Sequence, residues 1–147
     1  MEVINVSCNG TSPVYDGQNL TYCNSMRIAQ GVPVYRFLYS GNFTNISPKP
    51  WLGSWHSTEL PLLFGTHSDY RGNSTLLEYE TSFAMQDSWV SFAENASSPR
   101  LGRDKWLPFR DPRSGVVAAF RSAVVIGIEN VRDIELQCGD MFQPEHA

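Results

Sequence analysis

Val32-Pro33-Val34-Tyr35-Arg36-Phe37-Leu38-Tyr39, and then Trp51-Leu52-Gly53-Ser54-Trp55-His56-Ser57-Thr58-Glu59-Leu60-Pro61-Leu62-Leu63-Phe64-Gly65, decide how this chain folds. The first run, from Pro33 to Tyr39, is β-branched and aromatic, nearly continuous in apolar character, and starts at a proline. That pattern predicts a strand covered on both faces, as in a parallel sheet. Residues 40–58, with Gly41, Pro48, Pro50 and Gly53, predict a long loop, and long loops in compact domains are usually functional. The loop ends in one histidine, a carboxylate three residues later and an apolar run. A histidine placed there can swing its imidazole over the carboxyl edge of a sheet. Its ordinary pKa, about 6.5, suits proton exchange near neutrality.

Working outward, Cys23 to Gln30 predict a short helix ended by Gly31. Glu59 to Gly65 predict a helical turn with its Leu and Phe residues packed inward. The clearest helix runs from about Leu76 to Glu94. Thr75 and Glu78 form a capping-box pattern at its start. Leu76, Tyr79, Phe83, Trp89, Phe92 and Ala93 predict a broad apolar face turned to the core, with Met85 also packed. Pro99 to Gly102 read as a turn. Val116–Phe120 and Ala123–Ile128 predict a short strand pair, and Asp133–Phe142 a final helix. Residues 1–22, rich in Asn, Ser, Gly and Thr, read as irregular, which divides the chain into 1–22 and 23–147.

The chain has 147 residues, enough for one domain with a sizeable core. Its 41% hydrophobic and 12% aromatic content is globular. A net charge of −4, with acids and bases interspersed, excludes a nucleic-acid partner as the leading reading. No run approaches the ~18 apolar residues of a membrane span. The first residues carry no basic stretch followed by an apolar one, so no signal peptide is expected.

Glycosylation sequons point the other way. Seven of the nine asparagines, Asn5, Asn9, Asn19, Asn42, Asn45, Asn73 and Asn95, stand in Asn-x-Ser/Thr. The Ser and Thr content would give about one or two by chance, so a secreted glycoprotein is expected. A missing leader beside these sequons suggests a clipped N-terminus. The three cysteines leave one thiol without an internal partner in an oxidising compartment.

The stretch from Trp51 to Gly65 resembles the catalytic-histidine segment of type-B carboxylesterases, the family of cholinesterases and some fungal-type lipases. The pattern is Gly53, two residues, His56, two residues, Glu59, an apolar run and Phe64-Gly65. The resemblance extends over roughly 20–142 and includes Trp106-Leu107-Pro108-Phe109, with one leucine inserted. It implies the C-terminal portion of an α/β-hydrolase fold: the last sheet strands, the histidine loop and the covering helices. It implies hydrolysis of carboxylic or lipid esters through an acyl-enzyme, with no cofactor and no metal. His56 would be the general base of a Ser-His-acid triad, and Glu59 a buried support rather than the triad acid. A surface role for Glu59 is equally open from sequence. Cys23 and Cys138 resemble the family's C-terminal disulfide, which leaves Cys8 over, and a Cys8–Cys23 bridge is the competing pairing.

The rest of the machinery is not in these residues. The nucleophile's Gly-x-Ser-x-Gly turn is absent. Gly72-Asn73-Ser74-Thr75-Leu76 fails at its last position, and no oxyanion-hole Gly-Gly element occurs. Asp16, the only carboxylate between Val3 and Glu59, does not match the family's acid motif. The expectation is a chain that does not hydrolyse esters by itself. The alternatives are a non-catalytic cholinesterase-like interaction module and a truncated gene product. His67 follows the Phe-Gly element without an implied role, and a His56–Glu59 metal pair lacks the second histidine of a zinc helix.

Overall fold

The computed structural model describes residues 2–3, 27–49, 51–110 and 115–135. Its centre is a four-stranded sheet of β1 (Glu2–Val3), β2 (Arg36–Ser40), β5 (Val116–Arg121) and β6 (Gly127–Asn130), in that spatial order. β1, β2 and β5 run parallel, Phe37 facing Ala118 and Tyr39 facing Phe120 across the β2–β5 pair. β6 closes the edge antiparallel to β5, as the expected strand pair, and Arg121 and Glu129 form an ion pair across it. Residues 1–22 were expected to be irregular throughout. Glu2 and Val3 instead join the sheet, because a parallel edge offers backbone partners to any extended pair of residues.

The period of two along β2 sorts its side chains onto two faces. Tyr35, Phe37 and Tyr39 enter the larger core with Phe43, Ile46, Leu62, Met85, Leu101, Trp106, Ala118 and Phe120. Val34 faces the other side, in a smaller core with Phe109, Val117 and Val131. Both faces are covered, as the continuous apolar run predicts. Arg36, on that second face, places its guanidinium 4.6 Å from the Phe109 ring centroid.

Before β2, residues 27–29 are the described end of helix α1. It stops in a Schellman motif: Val32 N–H donates to Arg27 O and Gly31 N–H to Ile28 O, both at 2.9 Å. Gly31 takes φ +74°, which a residue without Cβ adopts freely. The long loop leads to α2 (Leu60–Leu63), then α3 (Leu76–Glu94). The expected turn at Pro99–Gly102 is part of a small hairpin of β3 (Arg100–Leu101) and β4 (Asp104–Lys105). The last described element is α4 (Val131–Glu135). It starts before the expected Asp133, and the remainder of that predicted helix lies outside the described residues.

Helix α3 keeps its predicted ends but only part of its predicted face, Leu76, Tyr79, Phe83 and Ala93 turning to solvent. Thr75 Oγ1 accepts from Glu78 N–H and the Glu78 carboxylate accepts from Thr75 N–H, completing the capping box. The buried side is largely polar: Glu78, Thr81, Ser82, Met85, Ser88 and Ser91. Leu76 and Phe83 are 74% and 66% exposed, and Tyr79 is exposed too. Small hydroxyl residues win the inner face because they let neighbouring backbone come close and bond to it. Ser82 Oγ donates to Leu62 O at 2.6 Å, Arg100 N–H donates to Ser91 Oγ at 2.8 Å, and Gly102 N–H donates to Ser88 Oγ at 3.2 Å. Met85, Trp89 and Phe92 pack inward as the pattern predicts. The Trp89 ring meets Phe37 edge-on at 4.7 Å and lies 5.6 Å from Trp106. The turn at α2 is corrected likewise: Leu62 is fully buried, but Phe64 is 71% exposed.

Candidate active site

β2 ends at Ser40, and the chain leaves the carboxyl end of a parallel strand, where ligand sites of open α/β sheets gather. Residues 41–59 then wind back toward α2 in successive turns. Ile46 N–H and Ser47 N–H both donate to Phe43 O, and Ser47 Oγ donates to Gly53 O at 2.7 Å. Thr58 returns both its N–H and its hydroxyl to Trp55 O. Glu59 O accepts from Leu62 and Leu63 N–H, tying the loop to the first turn of α2.

His56 rides on this frame with an exposed side chain, between exposed Trp55 and half-buried Ser57. Its Nδ1 lies 2.9 Å from Ser57 Oγ. Ser57 Oγ donates to Nδ1 in one imidazole tautomer and accepts from Nδ1–H in the other. Ser57 has φ +69°, a left-handed conformation that costs a non-glycine residue of order 1 kcal/mol. Two residues on, Thr58 and Glu59 are buried, so exposure falls off abruptly beside the histidine.

Glu59 is 7% exposed, so its side chain is buried rather than on the surface. With Glu78 it makes a pair of carboxylates near Tyr39 that no spacing in the sequence announces. Burial pushes the Tyr39 phenol above the ordinary tyrosine range, and the nearby carboxylates of Glu59 and Glu78 push it the same way. Tyr39 is therefore a neutral phenol beneath the histidine loop at any ordinary pH. Among the described residues, the Tyr39 hydroxyl, Glu78 Oε1 and Thr81 Oγ1 are buried polar atoms with no hydrogen-bond partner. No sequence signal brings Tyr39 to Glu78; only the packing of α3 on β2 does.

A second network lies at the other end of the loop. His67 is 2% exposed, its Nδ1 is 2.7 Å from Ser74 Oγ, and its ring meets Tyr79 edge-on at 4.7 Å. Asn45 Nδ2 donates to His67 O at 3.1 Å and to Ser74 Oγ at 3.2 Å. His67 is thus a bonded internal histidine. Asn45, one of the expected sequons, is 5% exposed, and its amide nitrogen is turned inward. Asn42, Asn73 and Asn95 are exposed. Asn5, Asn9 and Asn19, together with Cys8, Cys23 and Cys138, lie outside the described residues. Among the described residues no three His, Cys, Asp or Glu are grouped to hold a metal ion, and no helix is long and apolar enough to cross a membrane.

The strand, the histidine loop and the helix behind it find their counterpart in one family. The family model described as "Carboxylesterase family" matches residues 14–129, and the chain belongs to that family. It is 61% identical over 61 residues to a chlorogenic acid esterase of Aspergillus niger, covering 42% of this chain and 12% of that protein. It is 45% identical over 99 residues to secreted lipase 5 of Gibberella zeae, covering 63% and 18%. Over 99 residues it is 27% identical to an acetylcholinesterase of Gallus gallus, covering 63% and 13%. The solved carboxylesterase of Geobacillus stearothermophilus superposes with a TM-score of 0.58 at 17% identity, covering 91% of this chain and 30% of that one. The fold is accordingly part of an α/β-hydrolase, and the chain spans 12–18% of the length of these curated relatives.

Proposed function

We propose that this chain is the C-terminal part of a secreted serine carboxylic-ester hydrolase and supplies its general base, His56. The observation that carries the reading is an exposed imidazole on the loop leaving the carboxyl end of parallel strand β2 in a carboxylesterase-family chain. In such chemistry the histidine takes the serine proton as the hydroxyl attacks the ester carbonyl, then returns it to the leaving alcohol. A carboxylate holds the imidazole in the productive tautomer. Glu59, buried beside Tyr39 and Glu78, steadies the loop and is not that carboxylate. The serine and the triad acid come from polypeptide beyond these 147 residues, which hold no Gly-x-Ser-x-Gly. Carboxylic and lipid esters are the substrate class, in keeping with the names of the esterase and lipase relatives. Extracellular placement is supported by the sequons and by the secreted relative. Cys23–Cys138 is the disulfide this reading pairs.

The test is aryl-ester hydrolysis by this chain joined to, or co-expressed with, a polypeptide carrying the Gly-x-Ser-x-Gly turn. Activity that falls about a thousandfold or more in His56→Ala supports the assignment. Turnover by the purified chain alone, abolished by the same change, defeats the division of the triad. A non-catalytic interaction module is the second reading, favoured by the exposed Leu76, Tyr79 and Phe83 of α3. An inactive but tightly associated complex in that experiment would select it.

A further inference from the structure

We propose that Asn45-Ile46-Ser47 is a clamp that must stay unglycosylated, and that the N-linked glycans of the described region reside on Asn42, Asn73 and Asn95. The inference rests on the secreted reading above and goes beyond it by separating sequons that the sequence treats alike.

The separation is geometric. At Asn42, Asn73 and Asn95 the asparagine and the hydroxyl residue two positions on, Thr44, Thr75 and Ser97, are all exposed. At Asn45 both ends of the sequon face inward, with Asn45 5%, Ile46 2% and Ser47 2% exposed. The two hydrogens of the Asn45 amide nitrogen are directed at His67 O and Ser74 Oγ. Its Oδ1 accepts from Ile46 N–H, so the amide is bonded at both ends. Ser47 Oγ is committed to Gly53 O, three residues before His56. Asn42 is pinned only through its backbone, whose N–H donates to Ser122 Oγ at 2.5 Å, and its side chain is left in solvent.

Glycan transfer moves an oligosaccharyl group from a lipid-linked pyrophosphate onto the amide nitrogen. The anomeric C–O bond to pyrophosphate breaks, the C–N bond forms, and one amide proton leaves. At Asn45 the product keeps one N–H where the fold uses two, and adds a bulky polar group inside a closed turn. A chain modified there cannot close the turn that joins the histidine loop to His67 and the start of α3. Glycans three residues away, on Asn42, leave that turn intact.

The chain, secreted from a yeast host behind a leader, is treated with peptide N-glycosidase in heavy-oxygen water and its sites are mapped by fragmentation mass spectrometry. The expected result is label on Asn42, Asn73 and Asn95 and unlabelled Asn45 in the folded fraction, with N42Q, N73Q and N95Q each removing one glycan. N45Q should keep the wild-type glycan complement and melt several degrees lower. Label on Asn45 in folded protein overturns the inference while leaving the secreted reading intact. Secreted protein without label at any sequon overturns both. An N45Q variant that melts with the wild type defeats the clamp.

Discussion

A methyl group on Gly41 would lie 2.6 Å from Cζ of the Tyr39 ring, two residues back along the chain. The turn out of β2 therefore folds across the Tyr39 phenol and needs a residue without Cβ to do so. Tyr39 is 5% exposed, and the obstacle is a packed ring. Gly41→Ala is expected to destabilise by about 1–3 kcal/mol through overpacking. Urea denaturation checks this, and a change within about 0.5 kcal/mol would show that the turn relaxes freely.

The same phenol sets an alkaline limit. Its folded-state pKa is raised by burial and by Glu59 and Glu78. Below about pH 10 the group is neutral in both folded and unfolded chains and stability is flat with respect to it. Above that pH the unfolded chain releases the proton while the folded chain holds it, so stability falls by up to about 1.4 kcal/mol per pH unit. Tyr39→Phe should flatten this limb. At neutral pH it should be neutral or stabilising, because it removes a buried hydroxyl without a partner. Melting curves from pH 8 upward decide the matter.

Ser57→Gly removes the strained backbone and the hydrogen bond to His56 together. Glycine accepts the φ of +69° without Cβ cost, so the variant should be as stable as the parent or gain up to ~1 kcal/mol. The His56 ring is freed of its Nδ1 contact at the same time, and its imidazole NMR resonances should move relative to the parent chain. A clear loss of stability would mean that the Ser57 hydroxyl holds the loop.

The polar inner face of α3 predicts an inverted mutational profile. Ser82→Ala leaves Leu62 O without its hydroxyl donor and should cost about 1–2 kcal/mol. Thr75→Ala should cost about 1 kcal/mol by opening the capping box. Phe83→Lys, on the exposed side, should change stability by less than about 0.5 kcal/mol and raise the solubility of the isolated chain. A Phe83→Lys chain that unfolds would return Phe83 to the core and refute the observed orientation.

The sequence by itself determined β2, the long loop, the Gly31 stop, both ends of α3 and the β5–β6 pair. Each depends on local chemistry: a continuous apolar run, a capping box, a glycine where φ is positive. It also singled out His56, through the resemblance of Trp51–Gly65 to a carboxylesterase-family segment. Tertiary structure decided that hydroxyl residues share the inner side of α3, because Ser82, Ser88 and Ser91 find backbone partners that lie far along the chain. The sequence could not rank Leu76 and Phe83 below Ser82 and Ser88, since burial of a polar group turns on whether a partner is there to meet it. It could not tell Asn45 from Asn42 for the same reason. The two sequons are chemically alike, and only the fold brings His67 and Ser74 to one of them.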